Sequence, residues 1–468
     1  MFAVAAASSN VEYLNLPIGR ALRWWMLAEL AAIAVAYAAV RRGRPRGLGT
    51  IALLAGALGA LALVSTAWSP APRVTFERGV SFAVLLVAAG ALAYAAAGRE
   101  QAIGQLLLAV LAGSTLVALL GLVHLWFSSE QAVIPATATQ PARYNGLGAN
   151  PNTMALLLAL ATPLAVWAVW EVRSRRGRGV ALATLALLGG SIVASGSRGA
   201  VLAAATGAFV FAAFATARPR VVGIAFGAAA GFTILSLVVF ATAPTADHDT
   251  LVPTEVHVKG PPEGAERVLP LRDEIGFPAP DESEPGRTLF TSGGRARAWK
   301  GALDQVAERP VVGYGFGTEE LAFVDRYHLF FATRVENTYI GTALQLGAVG
   351  FVALLAVLGA VLWQGRRVPK LAPPGLRHVG AASFAAVVSG VVLAGTQSYV
   401  TSAGSVGGPP FWLCLFCLVA SVAGSGGPGP PPGQLDQRER DEREEDAAER
   451  HREAGLDVVG GEYRRVDG

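Results

Sequence analysis

Charge is scarce in this chain. Asp, Glu, Lys and Arg make up 15% of its 468 residues, while 53% are hydrophobic. A soluble domain of that length needs more polar surface. The formal charge of +4 is small. No basic run is interleaved with aromatics, so nothing points to nucleic acid. Cysteine is nearly absent. Cys414 and Cys417 sit together in an apolar stretch, where helix packing is their ordinary use and no partner for a redox or metal role is visible.

What the chain has in quantity is long apolar runs. A helix needs about 20 apolar residues to cross a bilayer, and only helices or closed barrels satisfy their backbone in lipid. The runs are continuous rather than alternating, which predicts helices. The fold class expected is therefore all-α: a polytopic membrane protein with about eleven spans. They fall near 22–40, 48–66, 79–97, 102–127, 152–171, 179–195, 199–217, 221–242, 337–363, 379–397 and 409–425. Ser8, Ser9, Asn10, Glu12 and Asn15 occupy the place where a cleavable signal would be apolar, so the first span is expected to begin near Ala21.

Basic residues orient the spans. Arg41 to Arg46, Arg99, Arg173 to Arg178, Arg218 with Arg220, and Arg366 to Arg377 fall on one side if the spans alternate. That side is expected to be cytoplasmic, together with the C-terminus. Arg73, Arg78, Arg143 and Arg198 fall on the other, and Arg20 and Arg23 fit the scheme poorly. Four regions result: N-terminal spans to residue 242, one large extracytoplasmic loop 243–335, C-terminal spans 336–425, and a charged cytoplasmic tail 426–468. The loop divides again. Residues 243–291 form an acidic, Pro-rich insert. Residues 292–335 hold an amphipathic helix, capped by Ser292 and carrying Arg295, Trp299, Leu303 and Val306 at helical spacing, then the glycine turn Gly313, Gly315, Gly317.

Ionisable residues beside apolar spans are expensive and tend to be functional. Four outward sites stand out. Arg143-Tyr-Asn-Gly-Leu-Gly-Ala-Asn150-Pro-Asn152 runs into the fifth span, where Pro151 opens the helix and Asn150 or Asn152 caps it. Ser195-Gly-Ser197-Arg198-Gly is a tight turn between spans six and seven. Arg295 stands at the start of the loop helix. Glu336-Asn337-Thr-Tyr339 opens the ninth span. Each has an ordinary structural use as a cap, turn or exposed face. Together they set three arginines, whose forked guanidinium suits phosphate, beside one carboxylate able to act as a base.

The arrangement resembles the O-antigen ligase and polymerase superfamily. Ser65-Thr-Ala-Trp-Ser-Pro70, Arg143 to Asn152, Ser197-Arg198-Gly199, Gly294-Arg295 with Trp299, Gly313 to Gly317, and Asn337-Thr-Tyr339 with Gly347 and Gly350 arrive in the family's order. The resemblance implies transfer of glycan from a polyprenyl diphosphate-linked donor to a glycan or lipid-glycan acceptor, within membrane lipids, at the outer face of the cytoplasmic membrane. It implies no metal, no other cofactor and no nucleotide sugar. It implies that Arg198 and Arg295 bind the diphosphate with help from Arg143. Glu336 would activate the acceptor hydroxyl, and Asn150, Asn152, Ser197, Trp299, Asn337 and Tyr339 would line the substrate site.

Lipid A core ligases of this family carry histidine immediately before the asparagine, where this chain has Glu336. That departure leans towards a polymerase or a ligase for another glycan; His328, nearby in the loop, is a second candidate base. A flippase for lipid-linked oligosaccharide is the main rival, and it would need charge deep within the spans. Here charge collects at their ends. A scaffold or sensor using the acidic insert is a third reading.

Overall fold

The computed structural model describes residues 17–40, 49–135, 142–148, 150–215, 295–323, 334–402, 404–423, 456–459 and 462–465. The expected span 221–242, the insert 243–291, Ser292, His328 and the tail run 438–453 lie outside the described residues.

The first unit, within Met1–Ser425, is a bundle of helices. In chain order these are α1 (Pro17–Val40), α2 (Gly49–Val64), α3 (Pro72–Ala96), α4 (Glu100–Phe127), α5 (Pro151–Glu171), α6 (Arg175–Ala194), α7 (Arg198–Ala215), α8 (Arg295–Glu308), α9 (Thr338–Gly365), α10 (Arg377–Ala394) and α11 (Gly408–Ala423). Among the described residues eight helices are long and apolar enough to cross a membrane: α2 to α7, α9 and α10. The apolar parts of α1 and α11 are shorter. Most starts match the expected bounds closely. The largest difference is at α3, which begins at Pro72 rather than near residue 79 because Pro72 fits the first helical turn and Arg73 pairs with Glu77 at 3.0 Å, one turn on; α1 and α6 also begin a few residues early.

Burial separates central from peripheral helices. In α5 and α10, 78% of the most apolar window is buried, against 22% in α6. Central α10 packs on α5, α7 and α11, and α11 continues to α3. Large apolar side chains remain exposed on the outside, among them Leu53, Val87, Leu116, Trp126, Val180 and Val352. Such a surface suits lipid rather than water.

Two departures from the all-α expectation are small. Val133–Ile134 pairs antiparallel with Arg143–Tyr144. In the second unit, Gly426–Gly468, Leu456–Val459 pairs antiparallel with Glu462–Arg465, beyond the charged run 438–453.

Inside α9, Gly347 has φ 62° and ψ −161°, which breaks the helix. The break frees backbone groups, and the strap 310–317 takes them up. Tyr314 N donates to Leu344 O (3.0 Å), Gly315 N to Gln345 O (2.7 Å) and Ala348 N to Pro310 O (2.8 Å). Gly317 N donates to Gln345 Oε1 at 2.6 Å. The early Ser65–Pro70 motif cradles the same strap: Trp68 Nε1 donates to Val312 O (3.0 Å) and Ser65 Oγ accepts from Phe316 N (2.9 Å). Three stretches far apart in sequence thus form one interlocked piece, in which every freed backbone group named here has a partner.

Candidate active site

One end of the bundle gathers the polar residues, and capping explains much of the local geometry. Asn150 caps α5, its side chain accepting from Thr153 N at 2.9 Å. Asn152 turns the other way and accepts from Arg143 Nη2 at 2.9 Å, while Arg143 Nε donates to Ser195 O at 2.9 Å. Arg143 is buried and joins the start of α5 to the turn before α7. The structure therefore brings the first two expected sites together. Lysine lacks the fork that makes both bonds at once. Arg143→Lys should lower thermal stability by about 1–3 kcal/mol, read by unfolding in detergent. Unchanged stability with weakened donor binding would instead mark Arg143 as a substrate contact.

Arg198 opens α7 and is half-buried; Ser197 before it is buried. At Gly199 a Cβ would lie 2.3 Å from Thr396 Oγ1. Only glycine allows this approach, which seats the Ser-Arg-Gly turn on the loop following α10. The same loop holds the start of α9. Asn337 Nδ2 donates to Gly395 O (3.0 Å), and Thr338 N donates to Gln397 O (3.1 Å). Asn337 Oδ1 accepts from Tyr339 N and Ile340 N, so its side chain is used as an N-cap. Tyr339 Oη donates to Val391 O at 2.9 Å, tying α9 to α10.

α8 packs against α9. Its buried stripe is Ala298, Ala302 and Gln305, flanked by half-buried Trp299 and Val306. Leu303, expected on that face, is 52% exposed. The actual stripe is rotated because small Ala side chains permit close approach and Gln305 finds Ala322 O at 2.9 Å. Trp299 Nε1 donates to Val335 O at 2.9 Å and so anchors α8 to the residue before Glu336.

This anchoring sets Arg295 beside Glu336, with Nη2 4.0 Å from Oε2. Their side chains are 22% and 18% exposed. Glu336 has φ 55°, a left-handed conformation uncommon for a residue other than glycine. Its Oε2 is buried and has no hydrogen-bond partner among the described residues. Burial raises the Glu336 carboxyl above the usual range, against the pull of Arg295 and Arg334 and a hydrogen bond with Gln397. Burial also lowers Arg295, which the Glu336 charge partly offsets.

Beside this pair lies a cluster that the motifs did not reveal. Glu320 Oε1 accepts from Arg334 Nε (2.8 Å) and Nη2, while Oε2 accepts from Arg78 Nη2 (2.7 Å). Burial opposes the Glu320 charge, yet the two arginines outweigh it and hold the carboxyl at about 2. Glu319 is 5% exposed. Burial lifts its carboxyl to about 7, against Arg334 and hydrogen bonds from Ser398 and Val335, and Glu336 adds to the rise. Arg78, Arg334, Glu319, Gln345 and Ser402 line a cavity of about 380 Å³. Sequence offered one clue, the adjacent Glu319 and Glu320 after the glycine turn. Their partners lie up to 242 positions away. Among the described residues no group of three or more His, Cys, Asp or Glu is arranged to hold a metal ion.

Residues 183–355 match the family model described as O-antigen ligase. No curated protein matches the chain. The matched segment contains Arg198, Arg295, Glu319, Glu336 and Gly347; Arg143 and the Ser65–Pro70 motif precede it. Over residues 183–355 the chain carries an O-antigen ligase domain, which supports its likeness to the O-antigen ligase and polymerase superfamily.

Proposed function

We propose that this protein transfers or polymerises glycan from a polyprenyl diphosphate-linked donor to a hydroxyl acceptor, at the outer face of the cytoplasmic membrane. The observation that carries this reading is the Arg295–Glu336 ion pair, in which Glu336 Oε2 lies 4.0 Å from the guanidinium and has no hydrogen-bond partner among the described residues. In the reaction Glu336 takes the proton of the acceptor hydroxyl. The acceptor oxygen bonds to the sugar's anomeric carbon as that carbon's bond to the diphosphate oxygen breaks. The electron pair leaves with the diphosphate, and Arg295 and Arg198 stabilise the charge that develops there. No step draws on a metal or a redox cofactor. The shared loop 395–398 supports this assignment, because Gly199 packs on Thr396 and Gln397 bonds Glu336. Asn337, Trp299 and Tyr339 support the site's shape through their hydrogen bonds.

A flippase is less well supported. The described buried charges cluster at one end of the bundle rather than along a route through it.

The test supplies the purified protein with a polyprenyl diphosphate-linked glycan and follows chain growth or carrier release. Arg198→Ala and Arg295→Ala should each lower kcat/KM by about 10²-fold or more. Retained activity in both would sink the assignment of the diphosphate site, and movement of intact donor across vesicles without transfer would favour the flippase.

A further inference from the structure

We infer that Glu319 is a positioning residue that holds Glu336 in its left-handed backbone conformation from both sides. The inference rests on the reading of Glu336 as the base. Glu319 Oε1 accepts from Val335 N at 2.9 Å and from Ser398 Oγ at 2.7 Å. Ser398 Oγ in turn accepts from Asn337 N at 3.0 Å. The residues immediately before and after Glu336 are thus tied, one directly and one through a single hydroxyl, to one oxygen of one carboxylate. Its other oxygen accepts from Gln345 Nε2 at 3.2 Å, and Gln345 is held by Gly317 N. The clamp is therefore referenced to the strap and the broken helix rather than to mobile surface.

A residue at φ 55° with a full side chain persists only where its surroundings over-determine it. The clamp supplies that determination. Glu319 has no role of its own in the proton transfer proposed for Glu336. Space is confined on its far side as well, since a Cβ on Gly341 would lie 2.9 Å from Oε2. Among the described residues the charged groups near the carboxylate include Arg334 and Glu336, with Glu320, next in the chain, paired to Arg334, Arg78 lining the same cavity and Arg295 beyond Glu336. α9 contributes the uncharged Gln345, and the loop after α10 contributes Ser398.

The experiment uses the full chain in detergent with two readouts. One is transfer from a polyprenyl diphosphate-linked glycan. The other needs no turnover: labelling by dicyclohexylcarbodiimide, which reacts with protonated buried carboxyls, followed at Glu336 by peptide mass spectrometry across pH. Glu319→Ala should lower kcat by about 10²-fold with KM within about threefold, the expected result of misplacing a reactive group by an ångström. The pH midpoint for labelling at Glu336 should shift as well. Should Glu319→Ala fail to fold, Ser398→Ala cuts one arm of the clamp and should lower kcat about tenfold, with Ser398→Thr recovering most of that loss. An unchanged Glu336 midpoint and unchanged kcat in Glu319→Ala or Ser398→Ala would overturn the inference. If Glu336→Gln keeps full transfer while Glu319→Ala still shifts the midpoint, the base assignment fails and the clamp stands.

Discussion

Replacing Glu336 with glutamine should lower the rate of glycan transfer by about 10²- to 10⁴-fold, the usual contribution of a positioned general base. Glutamine preserves the shape and one acceptor oxygen but cannot take a proton. Donor KM should not rise. Glu336 competes with any bound diphosphate for Arg295, 4.0 Å away, so losing the carboxylate leaves that guanidinium more available. The pH profile gives the sign. Burial raises the Glu336 pKa above the usual carboxylate range, and the base is active only when ionised. In the native protein kcat/KM should therefore climb as pH rises through that raised value, and the acidic limb should vanish in Glu336→Gln. Glu336→His should recover part of the rate, because imidazole can also accept a proton and histidine tolerates the left-handed conformation better than most side chains. Wild-type rates in Glu336→Gln, measured with a defined lipid-linked donor, would remove Glu336 from the chemistry.

The second large effect is structural. Gly347→Ala should destabilise the protein by about 3 kcal/mol or more, from backbone strain of about 1–3 kcal/mol together with overpacking. At φ 62° and ψ −161° the residue occupies a region open essentially to glycine. An added Cβ would lie 2.3 Å from Val311 C and O, and 2.5 Å from Val312 N. Those are backbone atoms of the strap, so no change of rotamer relieves the clash. Relief requires the strap to move, which breaks its bonds to Leu344, Gln345 and Ala348 and releases the segment leading to Glu319. Activity should fall with stability. Gly359→Ala, later in α9, is the control: a Cβ there meets nothing within 4 Å, and alanine should be neutral or stabilise by up to about 1 kcal/mol. Thermal unfolding in detergent reads both. Equal melting temperatures for the two variants would show that the break is not required.

The reasons for these two effects were unequally visible beforehand. Gly347 stands in the sequence as a glycine in an apolar run, and nothing local announces a helix break. Its necessity comes from Val311, 36 positions earlier, which arrives only through the fold. Glu336 was legible as a carboxylate at a span's start, but its φ, its burial and its 4.0 Å approach to Arg295 were not.

By itself the sequence determined the helices of this membrane protein, because a continuous apolar run in lipid has few ways to satisfy its backbone other than an α-helix. It also determined which residues are candidates, since Arg143, Arg198, Arg295 and Glu336 are charges set against apolar spans, where charge is costly. It assigned Asn150 and Asn152 to one capping role between them. Tertiary structure divided them, making Asn150 the cap and Asn152 the partner of Arg143. Tertiary structure alone decided that Ser65–Pro70, the glycine strap and α9 interlock. It alone tied Trp299 to Val335 and bracketed Glu336 with Glu319. Caps and spans depend on residues within a turn or two of each other. The strap, the clamp and the ion pairs of Glu320 depend on groups brought from distant parts of the chain, whose meeting is set by how the helices pack.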